Sequence, residues 1–444
     1  MKDARTRILV IGDAVAPTGF ARVMHSILEP LQEDYEIHQI GTNYHGDPHD
    51  YGWKIYPAKL GGDLQGVQRL VPLAKKIQPD LIFLFNDLWV VADYMDGLNT
   101  LANKPKIIAY CPIDAGPIHT KLLARCTELD RLVVYTEFAR EEVSKALAIL
   151  RAKDNALSFP PVDVIAHGVD CETFFPRSTD VTEGDDLFSR QTAIDTLYGN
   201  DPTLQDAFIV LNANRNQPRK RIDTTIEGFA LFAQGKPENV KLHLHMGNED
   251  IGWDIVHLAE RHGIEDRLIL TTNGKNLPGV SDRQLNLIYQ AAAVGINTSV
   301  AEGWGLVSFE HAATGAAQIV PRHSACEELW EGAALMLEPV IRLTTPDTLT
   351  DGYIVSPEGV ATALERLYED RELLRTMSLA AYARARKPSY RWEAIAEKWR
   401  ELFNTMLNPA LGQEVRAPLP SLPALSPAPS LYPTPQHESA FGSR

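Results

Sequence analysis

The chain has 444 residues with a formal net charge of −15, and 44% of its residues are hydrophobic and 23% charged. At about 150 residues per domain, this length predicts two or three domains with ordinary cores. The acidic balance makes nucleic acid an unfavourable partner, because binding to its phosphate backbone needs clustered lysine and arginine. Composition indicates a globular protein of enzyme size and names no function.

Four cysteines lie far apart and form no CxxC pair: Cys111, Cys126, Cys171 and Cys326. Sparse cysteine in a chain of this length predicts reduced thiols and a cytoplasmic location. Nowhere do about 18 uncharged apolar residues follow one another, and the apolar run at residues 8–11 is too short for a signal peptide. We therefore expect no transmembrane segment. Peripheral contact with a membrane stays open, since it needs only an amphipathic face.

The first part of the sequence alternates short apolar runs with segments of helical periodicity, such as residues 66–76 and 137–150. The short runs predict buried strands at residues 7–12, 35–40, 81–85, 106–110, 131–135 and 162–166. This alternation favours a parallel sheet covered by helices on both faces.

A polar segment at residues 178–206 predicts a connection between domains, with a helix around residues 189–197. A second series of strands then follows at residues 208–213, 241–246, 268–271, 294–298 and 317–321. Two successive Rossmann-like units, residues 1–190 and 205–388, are the architecture that this pattern predicts. Ligands of such sheets bind beyond the carboxyl ends of the strands, here in the cleft between the two units.

Residues 390–407 predict a strong helix, because apolar residues repeat along one face of it. Eight prolines follow among alanine, serine and leucine. Residues 408–444 are therefore predicted to form a disordered or polyproline-like tail, either solvated or bound to a partner.

The most informative stretch is Ala-Glu-Gly-Trp-Gly-Leu-Val-Ser-Phe-Glu at residues 301–310, between a predicted strand and a helix rich in small residues. Glycines at 303 and 305 expose backbone amides, and a helix N-terminus offers free N–H donors to a diphosphate. Glu302 and Glu310 are suited to accept hydrogen bonds from sugar and ribose hydroxyls.

A second stretch, residues 212–223, carries four cations at the end of a strand and before a helix predicted at residues 225–234: Arg215, Arg219, Lys220 and Arg221. Cations at this place predict an anion site that could neutralise a departing diphosphate. The alternative is a solvated basic loop without a ligand.

These motifs resemble those of retaining glycosyltransferases in glycosyltransferase family 4. Glu302 and Glu310 match the family's E-x7-E signature, and residues 215–220 resemble its R-x4-K segment. Ile-Ala-His-Gly-Val-Asp at residues 165–170 and Ser-Tyr-Arg-Trp-Glu at residues 389–393 are similar to two further family segments. The resemblance covers about residues 7–405 and leaves the tail unexplained.

The resemblance implies a GT-B fold, which is an α/β fold of two doubly wound Rossmann-like domains facing a cleft. Residues 1–190 would face the acceptor, residues 205–388 would bind a nucleotide-sugar, and residues 389–407 would cross back to the first domain. It implies a hexosyltransferase that takes a sugar from UDP- or GDP-sugar with retention. No metal or other cofactor is expected, and the acceptor could be a glycan, a lipid, a protein or a small molecule.

The resemblance also implies roles for single residues. Glu302 would lie against the donor sugar, Glu310 would hold the ribose, and Arg215 and Lys220 would clamp the diphosphate, whereas Arg219 and Arg221 would point to solvent. The remaining donor contacts are expected mainly from the backbone of the first domain's loop and of the motif: Gly19, Gly303, Trp304, Gly305 and Leu306. The nucleotide base is expected near residues 272–276.

Candidates in the first domain follow predicted strands. Asp114 is the preferred residue near the reacting centre, His119 is the second choice, and Asn86 and Asp87 could line the acceptor side. Each of these also fits a simple turn or cap residue. Two rival functions stay open, a nucleotide-sugar 2-epimerase of the same fold and a catalytically silent binding module.

Overall fold

The computed structural model of this chain describes residues 5–176, 190–248, 250–272, 274, 278–346 and 348–408. Its first domain is built on a seven-stranded parallel sheet of order β3-β2-β1-β4-β5-β6-β7. The strands are β1 (Arg7–Asp13), β2 (Glu36–Thr42), β3 (Lys54–Pro57), β4 (Leu81–Phe85), β5 (Lys106–Cys111), β6 (Arg131–Val134) and β7 (Val162–Val164). All five residues of the central strand β4 are buried, as a parallel sheet covered on both faces requires.

Helices follow most of these strands: α1 (Gly19–Leu28), α2 (Val67–Ile77), α3 (Leu88–Leu98), α4 (Thr120–Arg125) and α5 (Glu137–Lys153). Threonine side chains set where two of them begin. The hydroxyl of Thr18 accepts the Ala21 amide at 3.1 Å, and that of Thr136 accepts the Ala139 amide at 3.2 Å. Each threonine thus satisfies a donor that the first helical turn leaves free.

The second domain repeats the design with a six-stranded parallel sheet of order β10-β9-β8-β11-β12-β13. The strands are β8 (Phe208–Asn212), β9 (Val240–Leu244), β10 (Leu268–Leu270), β11 (Val294–Ile296), β12 (Ala317–Pro321) and β13 (Leu335–Leu337). The helices are α6 (Gln191–Tyr198), α7 (Ile222–Ala233), α8 (Ile255–Arg261), α9 (Asp282–Ala291), α10 (Leu306–Ala313), α11 (Ser324–Trp330), α12 (Pro357–Glu369) and α13 (Arg371–Ala385).

An antiparallel ribbon, β14 (Pro339–Thr344) and β15 (Asp351–Val355), separates the last sheet strand from α12. Val340 and Ile341 of β14 are more than half exposed, whereas Gly352 and Val355 of β15 are buried. The ribbon therefore packs on the protein mainly through β15.

The final helix, α14 (Trp392–Leu407), returns to the first domain. The ring of Trp399 lies 4.8 Å from that of Phe83 and 4.9 Å from that of Tyr110, measured between ring centroids. The Tyr35 hydroxyl donates to Asn404 Oδ1 at 3.1 Å. These contacts confirm the predicted crossing. Among the described residues, no helix combines the length and apolarity that a bilayer crossing needs.

The structure confirms the predicted α/β architecture of two Rossmann-like domains, with β4 and β12 at the predicted bounds. The predictions missed β3, β13 and the ribbon, which lie at sheet edges or outside the sheets. Helix α7 begins at Ile222 and not at residue 225, because a turn ending at Arg221 leads straight into it. The predicted tail beyond residue 408 and most of the acidic part of the connection lie outside the described residues.

Candidate active site

The two sheets place their topological switch points opposite each other. Strand order reverses between β1 and β4 in the first sheet and between β8 and β11 in the second, and ligands of doubly wound sheets bind at such points. A Cβ added to Gly19 would lie 3.2 Å from Leu306 Cδ1, and one added to Gly303 would lie 2.5 Å from Asp114 Oδ1. The cleft therefore brings four of the predicted site residues face to face.

Glu302 and Lys220 form a buried ion pair at the centre of this cleft. The Lys220 ammonium donates to Glu302 Oε1, which also accepts from Asn297 Nδ2 at 3.2 Å and Ser299 Oγ at 3.0 Å. Burial disfavours the charged carboxyl, but Lys220 and Arg219 outweigh it and lower the pKa of Glu302 to about 2. Glu302 is thus held as an oriented anion.

The loop that carries the four cations, residues 213–221, is anchored through its backbone carbonyls to the loop after β11. The Thr298 hydroxyl donates to the Lys220 carbonyl at 3.0 Å, and the Val300 amide donates to the Arg219 carbonyl at 2.9 Å. These bonds explain why loops about 80 residues apart in sequence share one site.

Arg219 faces the cleft, and 47% of its side chain is still exposed to solvent, as predicted. Its Nη1 lies 3.4 Å from Asp114 Oδ2 in the other domain. Arg221, in contrast, makes two hydrogen bonds to Asp223, of 2.9 and 2.6 Å, and takes no part in the pair. The short turn Pro218–Lys220 sets these directions, and the spacing of cations in the sequence does not reveal it.

Arg215 is not brought to the Glu302–Lys220 pair. Its Nε and Nη2 atoms each donate to the Asp250 carboxylate at 3.0 Å. A contact between Arg215 and a diphosphate therefore stays a prediction, and it requires the guanidinium to exchange its partner.

Glu310 lies in the middle of α10 and is bound by residues of both domains. The Tyr289 hydroxyl donates to its Oε2 at 3.1 Å, and Arg22 Nε of the first domain lies 3.5 Å from its Oε1. Burial raises the pKa of Glu310, although Arg22 and Tyr289 act in the opposite direction. Arg22 also pairs with Asp282 at 2.8 Å. No local pattern in the sequence marks Arg22, since its partners Asp282 and Glu310 lie 260 or more residues away.

The motif between the two glutamates presents its backbone to the cleft. Gly305 has φ +85°, a left-handed conformation that favours glycine, and it directly precedes α10. The Trp304 side chain is only 3% exposed and stacks on Phe309 at 4.8 Å in the core. Trp304 can therefore meet a ligand in the cleft only through its backbone.

The first domain contributes two acidic side chains to the cleft. Burial and the nearby Asp114 raise the pKa of Asp87 to about 6. Burial also raises the pKa of Asp114, and Arg219 opposes this. Asn86 and His119 have local roles, because Asn86 bonds Gln65 and Tyr94 while His119 Nδ1 caps α4. His119 is therefore a helix cap, one of the simple local roles expected for it.

Two histidines, one on β9 and one just after it, face the same threonine. His243 Nε2 and His245 Nδ1 each lie 2.9 Å from the Thr271 hydroxyl. Among the described residues, no three histidine, cysteine or acidic side chains are grouped so that they could hold a metal ion. Of the expected base-binding segment, residues 273, 275 and 276 lie outside the described residues.

Sequence comparison finds glycosyltransferases. No protein-family model matches the chain. The D-inositol 3-phosphate glycosyltransferase of Streptomyces griseus subsp. griseus is 26% identical over 288 residues, which cover 63% of this chain and 54% of the relative. That of Mycolicibacterium smegmatis is 31% identical over 192 residues, which cover 42% of this chain and 36% of the relative. The matched regions thus span about half or less of these curated relatives.

Solved structures match over a larger part of the chain. Sucrose-phosphate synthase from Thermosynechococcus elongatus superposes with a TM-score of 0.67 at 18% identity, covering 91% of this chain and 100% of that one. HepE from Anabaena, in complex with UDP and glucose, gives 0.62 at 16% identity, covering 90% and 100%. At these identities the likeness concerns the fold. The two facing Rossmann-like domains and the returning helix define a GT-B fold, as predicted.

Proposed function

We propose that this protein is a retaining glycosyltransferase of family 4, which transfers a sugar from a UDP- or GDP-sugar without a metal ion. The acceptor is a glycan, a lipid, a protein or a small molecule. The observation that carries the proposal is the buried Lys220–Glu302 pair at the switch point of the second sheet, opposite Asp114 of the first domain. The glycosyltransferases among the sequence relatives support it, and so does the GT-B fold.

Each part of the site suits one part of such a donor. The ionised Glu302 carboxylate accepts hydrogen bonds from sugar hydroxyls, and Glu310 does the same for the ribose diol. The amides at the start of α10 bind a diphosphate through the helix N-terminus. Arg219 and Lys220 supply positive charge beside it, and this charge supports transfer without a metal.

In the proposed step, the bond between the anomeric carbon and the β-phosphate oxygen breaks, and its electron pair leaves with the diphosphate. A hydroxyl oxygen of the acceptor forms the new bond to that carbon from the same face. The hydroxyl proton passes to the departing diphosphate oxygen, so no separate base is required. Lys220 and Arg219 stabilise the negative charge that develops on the leaving group.

A melting-temperature screen over UDP, GDP and their sugars, followed by incubation with the labelled donor, tests this proposal. A ligand that binds only the folded protein raises its melting temperature. We expect one nucleotide to do so, Glu310→Ala to abolish that shift, and Lys220→Ala to retain nucleotide binding with loss of turnover. Unchanged kinetics in both variants would refute the site assignment.

Two outcomes of the same experiment would favour the rival functions. Epimerised sugar formed from the labelled donor alone would indicate a 2-epimerase. No shift with any nucleotide diphosphate would indicate a silent binding module.

A further inference from the structure

A cavity of about 250 Å³ lies between the two domains, beside the candidate transfer site. Its walls come from the loop after β5, from α5, and from the second domain. Since liquid water occupies about 30 Å³ per molecule, this space is large enough for a small organic molecule. Ala115 and Ala301 line it and are the sequence neighbours of Asp114 and Glu302. Ser324, which also lines the cavity, accepts the Glu302 amide at 3.1 Å, so the cavity adjoins the backbone of the Glu302 loop.

The ribbon β14–β15 forms one side of this cavity and makes backbone hydrogen bonds to both domains. The Asp351 amide donates to the Gly116 carbonyl at 2.6 Å, and the Tyr353 amide donates to the Val300 carbonyl at 2.8 Å. Both Asp351 and Tyr353 line the cavity. Because main-chain bonds hold β15 at this position, these side chains are oriented over the space without a ligand.

Charge in the cavity wall favours an uncharged occupant. Lys145 Nζ lies 2.5 Å from Glu142 Oε1, so the one cation of the wall is already paired. Asp351 adds a second carboxylate, which accepts the Thr344 hydroxyl at 2.8 Å and lies 3.7 Å from Arg342 outside the wall. Each of these carboxylates is thus paired with a cation, and the residues that line the cavity offer no unpaired cation to a phosphate or a carboxylate group.

The same wall suits a ring that carries hydroxyl groups. The Glu142 and Asp351 carboxylates and the Ser324 and Tyr353 hydroxyls can accept hydrogen bonds from such groups. The Phe138 and Tyr353 rings offer apolar surface next to these polar atoms. A pocket with apolar walls and a few placed polar groups is the usual form of a small-molecule site.

We propose that this cavity is the acceptor site and that it takes a neutral carbohydrate. The inference rests on the proposed function, because an acceptor exists only if the protein transfers a sugar. The reacting hydroxyl of the carbohydrate lies towards Ala301 and forms the new bond to the anomeric carbon. The bond from that carbon to the diphosphate breaks, and the hydroxyl proton leaves on the diphosphate, as in the transfer step above.

The first experiment compares acceptors, using the full-length protein and the donor identified by the melting screen. Neutral acceptors are methyl α-glucoside, methyl α-mannoside and sucrose, and charged ones are glucose 6-phosphate and mannose 6-phosphate. We expect kcat/KM to be at least about tenfold higher for the best neutral sugar than for the best phosphorylated one, because the lining residues offer a phosphate no unpaired cation. Preference for a phosphorylated sugar, or no transfer to any neutral sugar, overturns the inference.

The second experiment changes the wall. Tyr353→Ala and Glu142→Gln should each raise the acceptor KM by about tenfold, since each removes ring contact or a charged hydrogen-bond acceptor. The nucleotide-induced melting shift and donor hydrolysis without acceptor should stay within about twofold, because the donor groups are untouched. Val340→Ala, on the exposed strand of the same ribbon, is the control and should leave all three values unchanged.

An unchanged acceptor KM in both wall variants overturns the acceptor site while the nucleotide shift still upholds the proposed function. Glu142→Gln keeps the size of the side chain. If Tyr353→Ala does not fold, the acceptor KM of Glu142→Gln alone tests the acceptor site. Absence of any nucleotide shift in the unchanged protein overturns the proposed function itself, and the inference with it.

Discussion

Replacing Lys220 with methionine removes the ammonium that contacts Glu302 and keeps the length of the side chain. The two side chains are 8% and 7% exposed, so water cannot take the place of the lost ammonium at little cost. We expect Lys220→Met to destabilise the second domain at neutral pH.

The magnitude follows from the pKa of Glu302, which falls from 4.5 to about 2 because Lys220 and Arg219 outweigh burial. At about 1.4 kcal/mol per pKa unit, the folded state favours the carboxylate by about 3 kcal/mol. A pKa lowered by folding gives stability that is fully present above about pH 4.5 and is lost as the pH falls towards 2. Burial lowers the pKa of the Lys220 ammonium, so the pair as a whole contributes less than this value. Lys220→Met nevertheless leaves the Glu302 carboxylate buried without its partner and should cost roughly 3–5 kcal/mol at pH 7.

Urea unfolding at pH 7 of the single variants Lys220→Met and Glu302→Gln, and of the double variant, tests the reasoning. In the Glu302→Gln background, Lys220→Met should cost less than about 1 kcal/mol, because no buried charge is left unpaired. Arg221→Met is a matched control in the same loop. Its partly exposed pair with Asp223 should contribute at most about 1 kcal/mol. Equal costs of Lys220→Met in both backgrounds would refute the argument.

Three further changes separate the roles of neighbouring residues. Arg219→Gln should lower kcat by about 100-fold, because it removes one charge beside the leaving group. Arg221→Gln is the control and should change kcat little. Equal effects of the two substitutions in steady-state assays would contradict the orientation of Arg219. Gly305→Ala should cost about 1–2 kcal/mol at φ +85° and weaken nucleotide binding, as calorimetry can measure. Trp304→Leu should lower the melting temperature but leave the nucleotide Kd of the folded protein unchanged, and a much weaker Kd would contradict its place in the core.

The strands at the centre of each sheet were predictable, because burial on both faces makes them continuous apolar runs. Leu81–Phe85 is such a strand, and Ala317–Pro321 is one apart from its buried Gln318. The bounds of both strands agree with the prediction. The edge strand Lys54–Pro57 is only partly buried, so its four residues carry no comparable apolar signal. The ribbon strand Pro339–Thr344 does carry Val340, Ile341 and Leu343, but it exposes them, so its apolar residues do not mark a buried strand.

The location of the candidate site was also predictable, since motif loops at the ends of parallel strands meet at one edge. The directions in which single side chains point were not predictable. Arg215 and Arg219 lie four residues apart, yet one pairs with Asp250 and the other faces Asp114. These partners lie 35 and 105 residues away, so no local pattern identifies them.

The contacts between the domains differ in kind on the two sides of the molecule. At the cleft they are polar. Arg22 pairs with Asp282 and Glu310, and Arg219 pairs with Asp114. The Glu328 carboxylate accepts the Glu137 and Phe138 amides at 3.1 and 2.8 Å. On the side of α14 they are aromatic and buried, with Trp399 packed between Phe83 and Tyr110. Water can replace polar contacts at small net cost, whereas exposing apolar surface costs about 25 cal/mol per Å². We therefore expect the domains to separate at the cleft, where a donor must enter, while α14 keeps them joined.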